Sequence, residues 1–296
     1  MKALIAYYTG TGGTGMVARE LGRQLEGLRW QIRVERIKSE ATMMVDGYDP
    51  IILLFPLHAE NAPQGVYDWI DGLPLGEDRR VIVICTSGMG EMPGNRGGRW
   101  HAIRRLEGKG YDLWYEDSVL MPANYLASAP ASVNRRLLAM MPRQVARIVA
   151  GLKTGRRRRV RPGLIDRLVS AAGESFKKGE AAFGKGLSAS AVCAGCGWCA
   201  GNCPAANITM EGGRPRFGDA CQFCLGCLYG CPEKAISSNN PKGLLAGGYD
   251  LQALLPRADG DGAAGDGDGE RPSDDRPQPP KGLLWSGLRR YLRSFE

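Results

Sequence analysis

The sequence predicts an α/β chain, a doubly wound five-stranded parallel sheet followed by a small cysteine-rich α+β module. Three observations carry that expectation. Short apolar, β-prone runs alternate with stretches of helical spacing across residues 1–152, the pattern of βα units. The runs at 51–55 and 80–86 are apolar on both faces, as in strands covered by helices on both sides. Eight of the nine cysteines lie between Cys193 and Cys231, after the alternation has ended.

The elements follow in order. Residues 2–8 read as a buried first strand, and a Gly/Thr loop at 9–15 leads to a helix over 16–28 with Val17, Leu21, Leu25 and Leu28 on one side. Residues 31–37 alternate as a second strand. Strands follow at 51–55, 80–86 and 113–120, with helices at 66–70, 99–108 and 133–152. In a sheet of this class ligands sit at the carboxyl ends of the strands, so the loops of interest are 9–15, 56–63 and 86–98.

The predicted domains are 1–152, a basic linker and amphipathic helix over 153–187, the cysteine module over 188–243, a disordered Gly/Asp/Pro-rich linker over 244–281 and an amphipathic helix over 282–296. In the second segment residues 163–183 can form an amphipathic helix, with Ile165, Leu168, Val169, Ala172 and Phe176 on one face. The net charge of +8 is concentrated in Lys153, Arg156 to Arg159 and Arg161. That run reads as a solvated linker, with an acidic redox partner or anionic surface as the alternative, and gives no case for nucleic acid. On the last segment Leu284, Leu288, Tyr291, Leu292 and Phe295 form an apolar stripe. It should dock on the chain's own domains or a partner protein, or lie in a membrane interface as a peripheral contact. No leader pattern and no spanning-length apolar run is visible. With closely spaced cysteines this points to a reducing, cytoplasmic setting, extended to the cytoplasmic membrane face if the last helix binds lipid.

Cys193, Cys196, Cys199 and Cys203-Pro204 recur 28 residues later as Cys221, Cys224, Cys227 and Cys231-Pro232. Two C-x2-C-x2-C-x3-C-P quartets are the spacing of bacterial-type two-cluster [4Fe–4S] sites, in which the fourth cysteine serves the other cluster. The expected sets are Cys193, Cys196, Cys199 with Cys231, and Cys221, Cys224, Cys227 with Cys203. Val192, Ile208, Phe217, Phe223, Leu225 and Ile236 would form the apolar shell. A pair of four-thiolate zinc sites is the competing reading. Cys85, at the end of a buried strand, reads as a small core residue.

The loop Thr9-Gly10-Thr11-Gly12-Gly13-Thr14-Gly15 matches G-x-G-x-x-G, with Glu35 twenty residues beyond Gly15, and so admits a dinucleotide. Three hydroxyls around a helix N-terminus instead suit a terminal phosphate, as in FMN. Here the chain resembles the flavodoxins in its YYTGTGGTG loop and in two later loops, Pro56-Leu-His-Ala-Glu-Asn-Ala-Pro63 and Thr86-Ser-Gly-Met-Gly90. With Met121-Pro-Ala-Asn-Tyr125 and the cysteine repeat, residues 1–240 resemble the flavodoxin–ferredoxin fusion proteins. The resemblance implies a flavodoxin-like domain followed by a bacterial-type 2[4Fe–4S] ferredoxin domain. It implies an FMN site of Thr9, Gly10, Thr11, Gly12, Gly13, Thr14, Pro56, Leu57, His58, Ala59, Thr86, Ser87, Gly88, Met89 and Gly90. Where flavodoxins often stack an aromatic on the flavin from these later loops, this chain has Leu57, His58, Met89 and Met92. His58 is either a flavin contact or a solvated loop residue.

The function expected is electron transfer between FMN and two [4Fe–4S] clusters, with redox proteins as donor and acceptor. The alternatives are a flavin-dependent reductase with its own substrate and an NAD(P)-binding dehydrogenase. No acid/base constellation is visible, which favours a carrier.

Overall fold

A computed structural model describes residues 1–39, 43–88, 95–255 and 285–293. Five strands and their helices come first: β1 (Lys2–Tyr7), α1 (Gly13–Glu26), β2 (Gln31–Arg36), β3 (Ile51–Pro56), α2 (Gln64–Asp71), β4 (Arg80–Ser87), α3 (Trp100–Gly108), β5 (Asp112–Leu120) and α4 (Ala131–Lys153). All strand pairs are parallel and the order is β2-β1-β3-β4-β5. This is the flavodoxin-type doubly wound order, not the 3-2-1-4-5-6 order of dinucleotide folds. The period-2 register explains the layers. Ala3, Ile5, Ile52 and Ile82 face α1 and α4, whereas Leu4, Ala6, Leu53 and Val83 face α2 and α3. The order reverses at β1 and β3, and there the loops after β1, β3 and β4 converge.

The arginine run is not a free solvated linker. Arg158 forms a parallel bridge to Tyr115 on the edge strand β5, with Glu116 N–H donating to Arg158 O at 3.0 Å. Arg157 pairs with Asp112 at 2.7 Å and Arg158 with Asp117 at 2.9 Å, and Arg159 pairs with Glu107. Three of the six charges are therefore engaged in covering a sheet edge.

α5 (Leu164–Phe176) and the short α6 (Glu180–Lys185) follow. The apolar face of α5 is its outer one. Asp166 and Ser170 are buried, whereas Leu164, Ile165, Leu168, Val169 and Phe176 are exposed. The inner side is polar and small because it seats on loops, not on a helix face. Ser170 Oγ donates to Asn61 Oδ1 at 2.6 Å, and Asn61 Nδ2 donates to Ser170 O at 2.7 Å. Gly173 sits so close to the Ala59 carbonyl that a Cβ would lie 1.8 Å from it.

The cysteine module contains β6 (Leu187–Ala189), α7 (Trp198–Asn202), β7 (Ile208–Glu211), β8 (Arg214–Phe217), α8 (Gly226–Gly230) and β9 (Ile236–Ser238). β6 pairs with β9 and β7 with β8, both antiparallel. The 28-residue repeat is also a repeat of backbone conformation. Positive φ occurs at Gly195 and Phe223, at Gly197 and Leu225, and at Ala206 and Lys234. The Asn207 N–H donates to Cys203 Sγ and the Ala235 N–H to Cys231 Sγ, both at 3.4 Å. Val192, expected in the apolar shell, is instead exposed; Ile208, Leu225 and Ile236 are buried.

Residues 244–255, expected to be part of the disordered linker, pack as structure: Tyr249 and Leu251 are buried, and Tyr249 Oη donates to Pro122 O at 3.3 Å. Residues 256–281 of that linker lie outside the described residues. Of the last helix, α9 (Ser286–Arg293) is described. Leu288 and Leu292 are fully buried with Trp285 against Leu120, Val133 and Leu137. The stripe that a membrane contact through 282–296 requires is thus covered by the first domain; Leu284 and Phe295 lie outside the described residues. Among the described residues no helix is long and apolar enough to cross a membrane.

Candidate functional site

The site starts at the loop between β1 and α1. Gly12, at φ +97°, turns the chain into the helix, and its N–H donates to Thr9 Oγ1 at 3.1 Å. No side chain caps α1 and no acidic residue sits in its first turn. The first-turn amides and the positive end of the helix dipole are thus left for an anion. Thr14 Oγ1 and Thr86 Oγ1 are 2.8 Å apart, and Asn124 Nδ2 donates to Thr11 Oγ1 at 2.9 Å. These bonds tie the loops after β1, β4 and β5 around one space.

That space is a cavity of about 330 Å³, the size of a small-molecule site. Thr9, Gly10, Thr11, Gly13, Thr14, Pro56, Leu57, His58, Ala59, Thr86, Ser87 and Gly88 line it. Gly12 shapes the turn without lining the cavity. Met89 and Gly90, with Met92, lie outside the described residues. Glu35, the residue that a dinucleotide reading needs, pairs with Arg33 on β2.

The loop after β3 is held in a demanding conformation. His58 and Asn61 exchange backbone hydrogen bonds at 2.8 and 3.0 Å, with Ala59 and Glu60 between them at φ +44° and +60°. Two consecutive positive φ values make this a type I′-like turn, costly without glycine and found where surrounding contacts enforce it. α5 supplies the enforcement through Ser170 and the gap at Gly173. The turn presents two buried polar atoms without partners, His58 Nδ1 and Glu60 Oε2. Burial pushes the His58 imidazole down to about 4, with Lys177 acting in the same direction. Burial raises the Glu60 carboxyl to about 7. A polar-edged ligand in this cavity would give both atoms partners.

The remaining wall is not legible in the sequence. Tyr125, Phe176, Phe223 and Tyr249 line the same cavity, with Cys224 and Leu225. The aromatic side chains absent from the 56–63 loop thus come from elsewhere. Tyr125 and Phe223 rings are 5.0 Å apart, Phe176 and Phe223 5.4 Å, all edge-to-face. Only Tyr125 carries a sequence signal, in the Met121 to Tyr125 motif; the others are brought in by the second module, α5 and the segment after it.

The second module is fastened directly to the first. A Cβ on Gly10 would lie 2.0 Å from the Cys224 carbonyl oxygen. Tyr8 Oη donates to Gln222 Oε1 at 2.9 Å, Arg36 Nη2 to Asn202 O at 2.9 Å, and the Ser39 N–H to Pro204 O at 2.8 Å. Phe223 and Leu225 hold positive φ where the first quartet has Gly195 and Gly197. The large side chains occupy strained positions, and both project into the wall of the cavity.

The cysteines fall into two neighbourhoods. Cys193, Cys196, Cys199 and Cys231 line one small pocket, closed by Trp198, Met210, Pro215 and Ile236. Cys203, Cys221, Cys224 and Cys227 form the other, where burial raises the Cys221, Cys224 and Cys227 thiols and Cys203 acts on all three in the same direction. Burial is the larger cause there, taking Cys221 to about 11 and Cys224 to about 12. Such buried sulfurs are held as thiolates only by a cationic centre. Among the described residues no three His, Cys, Asp or Glu side chains converge as ligands of a single metal ion.

Cys85 is buried as expected, but with a partner the sequence does not reveal. Arg99, 1% exposed, donates from Nη1 to Cys85 Sγ at 3.1 Å and from Nε to Glu116 Oε2 at 2.7 Å. Glu116 Oε1 accepts from the Val160 N–H at 2.6 Å, fixing the end of the arginine run. Trp100 lies under the guanidinium groups of Arg104 and Arg167.

No family model matches the chain, and no curated protein matches it. Among solved structures it is similar to oxidised flavodoxin 2 from Bacillus cereus, at 17% identity over 51% of this chain and 99% of that one, TM-score 0.38. It is similar to a mutant flavodoxin from Pseudomonas aeruginosa, at 15% identity over 52% and 99%, TM-score 0.37. Rubredoxin oxygen:oxidoreductase from Desulfovibrio gigas matches at 15% identity over 52% of this chain and 36% of that one, TM-score 0.36. At these values the likenesses add nothing to the strand order. That order, with five parallel strands and the loops converging where it reverses, is flavodoxin-like in its own right.

Proposed function

We propose that the chain is an electron-transfer flavo-iron–sulfur protein, with FMN in the cavity of the first domain and two [4Fe–4S] clusters in a bacterial-type ferredoxin module. One observation carries the reading: Cys224, with Phe223 and Leu225, lines the cavity while belonging to a repeated cluster motif. The two sites share a wall. FMN, when bound, exchanges electrons singly or in pairs, whereas a cluster passes one at a time.

The chain's residues would act as follows. Thr9, Thr11 and Thr14, with the first turn of α1, hold the phosphate. Pro56, Leu57, Ala59 and the aromatic wall exclude water from the ring, and His58 and Glu60 meet its polar edge. Cys221, Cys224, Cys227 and Cys203 hold the cluster nearer the cavity. Cys193, Cys196, Cys199 and Cys231 hold the other, whose Cys196 is exposed and faces redox proteins that act as donor or acceptor. The covalent link keeps the two cofactors at a fixed, high effective concentration. The partners and setting proposed are redox proteins in the cytoplasm, with no nucleic acid. The role proposed is that of a carrier, with a flavin-dependent reductase as the alternative; among the described residues no side chains in the cavity pair as nucleophile and base.

Cofactor extraction tests this reading. Anaerobically reconstituted protein should hold one FMN and about eight irons per chain, and reducing one centre should reduce the other without added mediator. Stoichiometric zinc, or a chain without flavin, would overturn it.

A further inference from the structure

α5 leaves the chain with an exposed apolar face in the middle of its sequence. Leu164, Ile165 and Leu168 are 74%, 65% and 62% exposed, and Val169 and Phe176 continue the face. The helix is 13 residues long, close to 20 Å. Its other side is committed: Asp166 caps the helix by accepting from the Gly163 N–H at 2.9 Å, Ser170 holds Asn61, and Glu174 accepts from Tyr67 Oη at 3.0 Å. The apolar face therefore cannot turn inward without releasing the loop that shapes the cavity.

The charges around this face have one sign. Arg161, Arg167 and Lys178 are exposed on α5 and its flanks, Arg96 on the 3-10 turn Asn95–Gly97 packed against α5, and Arg104 on α3, whose Trp100 lies under Arg167. The acidic residues of these elements are all engaged: Asp166 in the cap, Glu174 with Tyr67 and Lys177, Glu107 with Arg159. Residues 257–282 contain no Leu, Ile, Val, Met or aromatic residue, so that stretch has nothing with which to cover the face. An aliphatic stripe ringed by cations, with no exposed unpaired carboxylate on α5 or the elements beside it among the described residues, is the composition of a helix that lies in an anionic membrane interface.

We infer that α5 is a membrane-interface helix that lays the protein on an anionic lipid surface beside the mouth of the cavity. The peripheral membrane contact that the sequence offers as one alternative for residues 282–296 is thereby assigned to residues 164–176. Phe176 ends the exposed face and also lines the cavity, so the lipid surface would adjoin the site. The geometry does not depend on which cofactors are bound.

The test is co-sedimentation of the full-length reconstituted protein with vesicles of phosphatidylcholine alone and with phosphatidylglycerol added. Binding should require phosphatidylglycerol, weaken as salt rises, and fall about tenfold or more in Ile165→Ser/Leu168→Ser. Both side chains are exposed, so that variant should keep the wild-type melting temperature. Arg290→Ser/Arg293→Ser, on the exposed side of α9, should bind as well as the wild type. No binding to anionic vesicles, or undiminished binding by the double variant, would overturn the inference. So would a solution dimer that the double variant dissolves, because the face would then belong to a second copy.

Discussion

Gly10→Ala tests whether the two modules are locked together at the loop between β1 and α1. The new Cβ would lie 2.0 Å from Cys224 O and 2.8 Å from Cys224 C and Cβ. Ordinary contact begins near 3.4 Å, so the loops must part by about 1.4 Å, and backbone lies on both sides of the gap. Gly10 is not among the positive-φ glycines, so alanine adds no conformational strain of its own and the collision is the whole effect. Overpacking of this kind costs about 1–3 kcal/mol. At roughly 2–4 °C per kcal/mol for a chain of this size, the melting temperature should fall by several degrees. Because the displaced segments are the loop between β1 and α1 and the Cys224 wall, the function proposed above requires FMN affinity to fall about tenfold or more and the visible circular dichroism of the proposed iron–sulfur module to change. Gly12→Ala is the contrast. It meets only Leu251 Cδ2 at 3.6 Å but places a Cβ at φ +97°, so it should lower stability while leaving the iron–sulfur spectrum unchanged. A Gly10→Ala protein with wild-type melting temperature and flavin affinity would refute direct packing of Gly10 on Cys224.

Two further outcomes follow from buried charge. Arg99→Met strands the Glu116 carboxylate in the core and should destabilise by about 3–5 kcal/mol; Arg99→Met/Glu116→Leu should recover most of that loss in denaturant unfolding, and failure to recover would mean the pair has a role beyond mutual neutralisation. Glu60 in flavin-free protein has a carboxyl pKa raised by burial from 4.5 to about 7, so folding favours its protonated form. It imposes no penalty below about pH 4.5 and an increasing one as pH rises to 7, with an upper bound of roughly 3 kcal/mol. Glu60→Gln should therefore gain stability relative to wild type from pH 5 to 8, and a pH-independent difference would show that Glu60 is not the titrating group.

Much of the fold is legible because hydrophobic period records layer membership. The runs at 51–55 and 80–86 give β3 and β4 to within a residue or so, since strands buried on both faces carry an unbroken apolar signal. α1 begins at Gly13, earlier than the expected 16, because its first turn of Gly and Thr has no apolar residue to mark it. The 28-residue repeat is visible as cysteine spacing, but its consequence at Phe223 and Leu225 is not. Spacing alone does not show that large side chains occupy the positive-φ positions held by Gly195 and Gly197 in the first quartet. α5 is the instructive case. Its pattern gives an amphipathic helix but not its orientation, because periodicity identifies two faces without saying which one meets protein. Asp166, Ser170 and Gly173 are the small and polar residues that a loop-facing helix needs, and that role becomes apparent only once Asn61 and Ala59 are seen opposite them.

The shared wall has a thermodynamic consequence that can be measured from either side. In the function proposed above, Phe223, Cys224 and Leu225 are ordered by the nearer cluster, so a chain stripped of iron must order them anew when flavin binds. Flavin affinity should fall on iron removal, and by linkage bound flavin must stabilise the cluster by the same factor. Strained φ at Phe223 and Leu225 sharpens the expectation, because such conformations persist only while their surroundings enforce them. The far quartet, with glycines at those positions and no residue in the cavity, should show no such coupling. FMN titration of holo and iron-depleted protein gives one half of the cycle. Iron loss under chelator, with and without FMN and resolved for the two clusters by spectroscopy, gives the other. Equal flavin affinity in the two forms would mean that the wall is rigid without its cluster, and protection of both clusters alike would place the coupling in global stability and not in the shared segment.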